Sequence, residues 1–114
     1  MTIVTVQRYE DGIRSIAVSG HSGYAEAGSD IVCAAASVLI TTCANALETV
    51  ANVQPVVYEN EKRAEIRITL PEGLDPERLY DSQIILKSIL QGYRDIAQEY
   101  PKFLKINDGR TSSC

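Results

Sequence analysis

Residues 2–19 read TIVTVQRYEDGIRSIAVS, and this stretch decides the fold class. Residues 2–8 are rich in β-branched side chains, which favour a strand. Glu10-Asp11-Gly12 follows, and Asp-Gly tolerates the positive φ that a tight hairpin turn needs. Residues 13–19 read as the partner strand, with Ile16 and Val18 toward the core. The hairpin runs out at Gly20, which places His21, the one histidine of the chain, where a strand passes into a loop.

Outward from this hairpin, residues 22–29 read as a loop whose Gly23 and Gly28 permit backbone shapes that other residues avoid. Asp30 is a good N-cap, with Ser29 a second candidate. A helix is expected from about Ile31 to Val50. Its apolar residues, Ile31, Val32, Leu39, Ile40, Cys43, Leu47 and Val50, cover more than half its circumference. Such a helix is buried on two sides: one on the sheet, the other on a second helix or a second subunit. Val53–Glu59 is a third strand, and Pro55 favours an edge or a strand start. Asn60-Glu61-Lys62 is a polar turn. Residues 63–70, RAEIRITL, alternate, with Ala64, Ile66, Ile68 and Leu70 inward and Arg63, Glu65, Arg67 and Thr69 outward, as in a half-buried antiparallel strand.

Asp75-Pro76 is a helix start, a cap followed by proline at the first helical position. From there Leu79, Leu86, Ile89, Leu90, Tyr93, Ile96, Ala97 and Tyr100 keep the 3.6-residue period up to Pro101. Phe103–Asn107 reads as a last short strand. The order β-β-α-β-β-α-β predicts an α+β two-layer sandwich, a mainly antiparallel sheet with two helices on one face. Residues 1–107 form one domain and 108–114 a flexible polar tail.

Composition narrows the function. The chain has 114 residues, 45% of them apolar and 23% charged, as in an ordinary globular domain. A net charge of -4 argues against direct nucleic-acid binding, which needs a basic stripe; it suits a basic partner through electrostatic steering. Three widely spaced cysteines do not make a disulfide framework. One histidine with no paired-cysteine motif argues against a metal site, and the glycines lack the lysine of a phosphate loop. No cofactor is expected. Met1 leads straight into a strand-like run with Arg8 and Glu10, so no signal peptide is read and a cytoplasmic protein is expected. Residues 31–47 are uncharged but carry Ser37, Thr41, Thr42 and Asn45, and read as a buried helix rather than a membrane span.

The candidate chemistry lies in residues 20–37. With Asp30 as cap, Cys33 falls in the first helical turn, where free amides lower a thiol pKa and can hold an oxyanion. A thiolate there is a nucleophile, and His21 is a base and acid for it if the two meet. A buried, inert Cys33 is the plainer alternative. Cys43, in mid-helix, reads as core. Ser37 lies one turn below Cys33 on the same face; it orients the histidine, bonds the thiolate, or merely caps a carbonyl. Asp30 caps the helix or orients His21. Tyr24 is a loop anchor or a wall of the site.

Gly20-His21-Ser22-Gly23-Tyr24-Ala25, then Gly28, then Asp30-Ile31-Val32-Cys33-Ala34-Ala35, then Ser37, closely resembles the signature of the Prp family of bacterial ribosomal-processing cysteine proteases. The resemblance implies a small α+β homodimer. It implies an endopeptidase that removes a short N-terminal extension from large-subunit ribosomal protein twenty-seven. His21 matches the family's catalytic histidine and Cys33 its nucleophile. Asp30, Ser37 and Gly20 match supporting positions. Ser22, Gly23, Tyr24 and Gly28 match a loop that moves when substrate binds. Ala36, where a larger apolar residue is common, is expected to affect packing only. Beyond Ser37 the match is one of pattern more than identity. Two other functions fit the same residues: a non-enzymatic ribosome-associated binding or assembly factor, and a thiol redox sensor.

Overall fold

The computed structural model describes residues 1–20 and 27–109, the side chains of 27–29 apart. Its elements are β1 (Thr2–Tyr9), β2 (Gly12–Ser19), α1 (Ala27–Thr49), β3 (Val56–Asn60), β4 (Glu65–Thr69), α2 (Pro76–Glu99) and β5 (Leu104–Asp108). The strands form one open sheet of five in the order β3-β4-β2-β1-β5. β5 lies parallel to β1; the other pairings are antiparallel. The expected order and fold class are those observed.

The hairpin turn sits one residue earlier than Asp-Gly suggested. Tyr9 pairs with Gly12, and Glu10 takes the positive φ, 52°. Cross-strand register puts Val4, Val6, Ile16, Val18 and Ile68 on one face. These residues form one core with Val32, Ile40, Cys43 and Leu47 of α1 and Leu86, Leu90 and Tyr93 of α2. Both helices therefore cover the same face of the sheet. Fully burying each such apolar side chain is worth roughly 1.5–3 kcal/mol. The other face is polar; on it the Ser15 hydroxyl donates to Gln7 Oε1 at 2.8 Å.

The stretch Asp30–Thr49 is long and apolar enough by composition to cross a membrane. Here its stripe of Val32, Ala36, Ile40, Cys43 and Leu47 is buried against sheet and α2. Its outer side leaves Ile31 and Val38 exposed, as is Val50 just past its end. Asp75 precedes Pro76 at the start of α2, as expected, in extended backbone and without a side-chain capping bond. Gln83 of α2 holds β2 in place: its Oε1 accepts from the Ile13 amide and its Nε2 donates to the Ile13 carbonyl, both at 2.8 Å.

Three local expectations are corrected. α1 begins at Ala27, so Asp30 lies inside its first turn and is not the cap. An acidic side chain is favoured there by the helix dipole as it is at the cap, so the two placements share one sequence signal. Gly28 for the same reason belongs to the helix and not to a loop. Finally, the expected tail starts too early: Asp108 closes β5 and the Gly109 amide donates to the Val6 carbonyl at 2.9 Å. Residues 110–114 lie outside the described residues.

Candidate functional site

The end of β2, one face of α1 and the β3–β4 turn enclose a cleft of about 440 Å³. α1 contributes Cys33, Ala36, Ser37 and Ile40. This i, i+3, i+4, i+7 spacing puts all four on one helix face. Val18 and Ile66 make its walls apolar, and Glu59 and Glu61 bring carboxylates to it. Cys33 is half-buried there, whereas Cys43, ten residues on in the same helix, is fully buried. Burial pushes the Cys43 thiol up to about 12, because the thiolate would have no solvent. Cys43 is a core residue, as its sequence setting suggested.

Gly20 lines the same cleft. Its φ is +85°, and a Cβ there would lie 2.5 Å from the Met1 carbonyl oxygen. Its amide donates to the Arg63 carbonyl at 3.3 Å, tying the end of β2 to the β3–β4 turn. Only glycine combines the left-handed backbone with so close a neighbour. The residue before His21 is thus held at the cleft that Cys33 lines. His21, Ser22, Gly23 and Tyr24 themselves lie outside the described residues.

Because α1 starts at Ala27, the amide of Cys33 falls beyond the four free N–H groups of the helix start. The expectation that Cys33 sits in the first turn is corrected: those amides belong to residues 27–30, a turn away. Ser37 takes the third of its possible roles. Its hydroxyl donates to the Cys33 carbonyl at 2.8 Å, which fixes the turn carrying the thiol. Asp30 is exposed on the same helix. The helix is pinned from behind, where the buried Tyr93 hydroxyl donates to the Ala36 carbonyl at 2.9 Å. Burial raises the Tyr93 pKa, so the phenol keeps the proton it donates.

Glu59, Asn60, Glu61 and Glu65 were not singled out as site residues. Glu65 was placed outward and solvent-facing; it is only 8% exposed and pairs with Arg67 at 2.7 Å. Alternation placed it on the right face but did not reveal that Arg63 and Arg67 enclose it. A polar turn some 27 residues beyond the cysteine carries no local sign that it returns to it. Among the described residues no three His, Cys, Asp or Glu side chains are arranged to hold a metal ion. Chemically, the cleft offers a solvent-reachable thiol beside an apolar wall, under carboxylates that attract a cationic chain.

The sequence profile described as "Cysteine protease Prp" matches residues 1–105. A Bacillus subtilis protein named "Ribosomal processing cysteine protease Prp" is 29% identical over 107 residues, covering 93% of this chain and 96% of that one. The crystal structure of a Streptococcus mutans protein superposes with a TM-score of 0.84 at 28% identity, over 95% of this chain and 93% of that chain. An essential ribosomal processing protease Prp from Staphylococcus aureus, solved with a substrate peptide, has the same fold. Its TM-score is 0.82 at 22% identity, over 95% of this chain and 99% of that chain.

Proposed function

The chain belongs to the cysteine protease Prp family, and from that premise we propose that Cys33 and His21 are its catalytic pair. We further propose that it removes the N-terminal extension of large-subunit ribosomal protein twenty-seven. The observation that carries this reading is the shared cleft: Cys33 lines it, and so does Gly20, the residue bonded to His21. His21 takes the thiol proton as Cys33 Sγ attacks the scissile carbonyl carbon. The C–N bond breaks, the proton passes to the leaving amine, and a thioester links the N-terminal fragment to Cys33. Water, deprotonated by His21, hydrolyses that thioester and returns the thiol.

Gly20 positions the start of the histidine-bearing segment, and Ser37 holds the turn that carries Cys33. Asp30 lies one turn before Cys33 on α1, and this reading assigns it the orienting of His21. This reading assigns Ser22, Gly23 and Tyr24 to substrate contact, together with Gly28 in the first turn of α1. The named Bacillus and Staphylococcus relatives support the assignment to ribosomal processing. The acidic cleft rim and the net charge of -4 favour a basic ribosomal substrate. The exposed Ile31 and Val38 of α1, with Val50 just past its end, support burial against a second copy, and hence a homodimer. Its site of action is the cytoplasm, where ribosomes are assembled.

The test is incubation with the same organism's ribosomal protein twenty-seven, reading product masses. A single N-terminal cut is expected, reduced about 10³-fold or more in Cys33→Ala and in His21→Ala. Wild-type rates from either variant would remove that residue from the catalytic pair. Intact substrate with the wild-type protein would remove the substrate assignment.

A further inference from the structure

β3 is an outermost strand of the sheet, paired on one side with β4. Every second residue of such a strand points its amide and carbonyl away from the sheet. Edges of this kind are usually protected by lysine, proline or a bulge. The opposite edge strand, β5, follows that rule with exposed Lys105 and Asn107. β3 does not: Val56, Val57 and Tyr58 are 56%, 50% and 44% exposed, and no lysine lies within the strand. Its last residues are also the wall of the cysteine cleft, which is lined by Glu59, Asn60 and, just beyond, Glu61.

From this continuity we infer that the outer edge of β3 is a docking rail for the substrate. An extended, basic peptide segment adds to the sheet there as a sixth strand and passes at its Glu59–Glu61 end into the Cys33 cleft. The inference rests on the protease reading and names how that site holds its chain. Strand addition gives main-chain hydrogen bonds at little cost to a flexible substrate, and alternate side chains meet alternate pockets. Five residues of edge span roughly 17 Å. Along it, one set of peptide side chains lies on the helix side beside Val57, leading toward Glu59. The other set lies beside Val56 and Tyr58. Tyr58 is braced from below by the Arg67 guanidinium, 5.0 Å from its ring centre, and that guanidinium is held by Glu65. The cation on this strand pair is therefore internally neutralised, while Glu59 and Glu61 have no ion pair among the described residues and face the incoming chain.

The experiment is residue-resolved hydrogen exchange on Cys33→Ala protein, with and without a synthetic peptide copying the N-terminus of ribosomal protein twenty-seven. Alongside it, wild-type protein cleaves a series of that peptide N-methylated at successive backbone positions. Alternate amides within Val56–Asn60 are expected to slow when peptide is present. N-methylation at alternate positions is expected to raise KM about 3- to 10-fold with kcat little changed, the loss of one hydrogen bond. Cys33-dependent cleavage with unchanged β3 exchange overturns the rail and leaves the protease intact. A peptide neither cut nor sensed by β3 overturns both. Slowing of the same amides with protein concentration alone assigns the edge to a second copy and overturns the inference.

Discussion

The two edges of the sheet differ in what is attached to them. At the β5 edge, Arg8 forks onto Asp108 through two 2.8 Å bonds, and Arg94 of α2 reaches the same carboxylate at 3.3 Å. The Gly109 amide adds a bond to Val6, and Leu104 is buried beneath α2. At the β3 edge, four of five residues are exposed, and the neighbouring helix face opens into the thiol cleft. Pairing of a part-buried guanidinium is worth more than a surface contact, because solvent screens it less. The comparison teaches that stability and chemistry are segregated: the β5–α2 side holds the fold, and the β3–α1 side holds reactive and unpaired groups.

The sharpest way to test that division is to remove one side chain from each half. Cys33→Ala is expected to lose cleavage about 10³-fold or more while the thermal midpoint stays near wild type, since the thiol is half-buried and the cleft already open. Leu86→Ala, fully buried under the other half, should cost about 2–5 kcal/mol in denaturant unfolding and leave kcat of the remaining folded protein unchanged. A stability loss from the first or a selective kcat loss from the second would break the comparison.

Gly20→Ala tests the seam between the halves. The positive φ and the 2.5 Å approach to Met1 predict a loss of about 1–3 kcal/mol, with cleavage falling further than stability because His21 follows directly. Equal losses in both would make Gly20 a purely structural residue. Asp108→Asn leaves the part-buried Arg8 without its anion. It should cost about 1–2 kcal/mol and speed amide exchange in Leu104–Asp108, with Val56–Asn60 unaffected. Exchange rising at both edges would show that the sheet responds as one unit.

A last effect appears only in alkali. Cys43 is raised by burial to about 12 from an ordinary value of 9.0, and Tyr93 is raised as well. A raised folded-state pKa means that the native state holds its proton more tightly than the unfolded one. That contribution is complete below about pH 9 and is lost as pH climbs toward about 12, at most about 1.4 kcal/mol per pH unit per group. Urea unfolding at pH 8 to 11 should show this decline, with a shallower slope in Cys43→Val. An identical slope would place the cause elsewhere.

Much of this was legible in the chain. Period-two alternation in 63–70, period 3.6 in 79–100 and the Asp75-Pro76 start are local signals; the last two matched α2, and the first matched β4 over Glu65–Thr69, with residues 63 and 64 in the turn before it, Ala64 at a φ of 48°. The first helix was harder: Ser29 and Asp30 serve equally as cap or first-turn residues, so its start was misplaced by about a turn. The buried Glu65 was also missed, since alternation reports the face and not the arginines that close over it. The cleft residues Glu59, Asn60 and Glu61 carried no signal at all.

The amino-acid sequence by itself determined the order of elements, the buried stripes and the motif that joins His21 to Cys33. These are set by contacts within a few residues, where periodicity, turn chemistry and spacing suffice. Tertiary structure alone decided that the β3–β4 turn closes on the thiol, that one cysteine of α1 meets the cleft while the other meets the core, and that, among the described residues, one sheet edge is clamped and the other unpaired. Those outcomes depend on pairings between segments far apart in the chain, whose free energy comes from shared burial that no single segment contains.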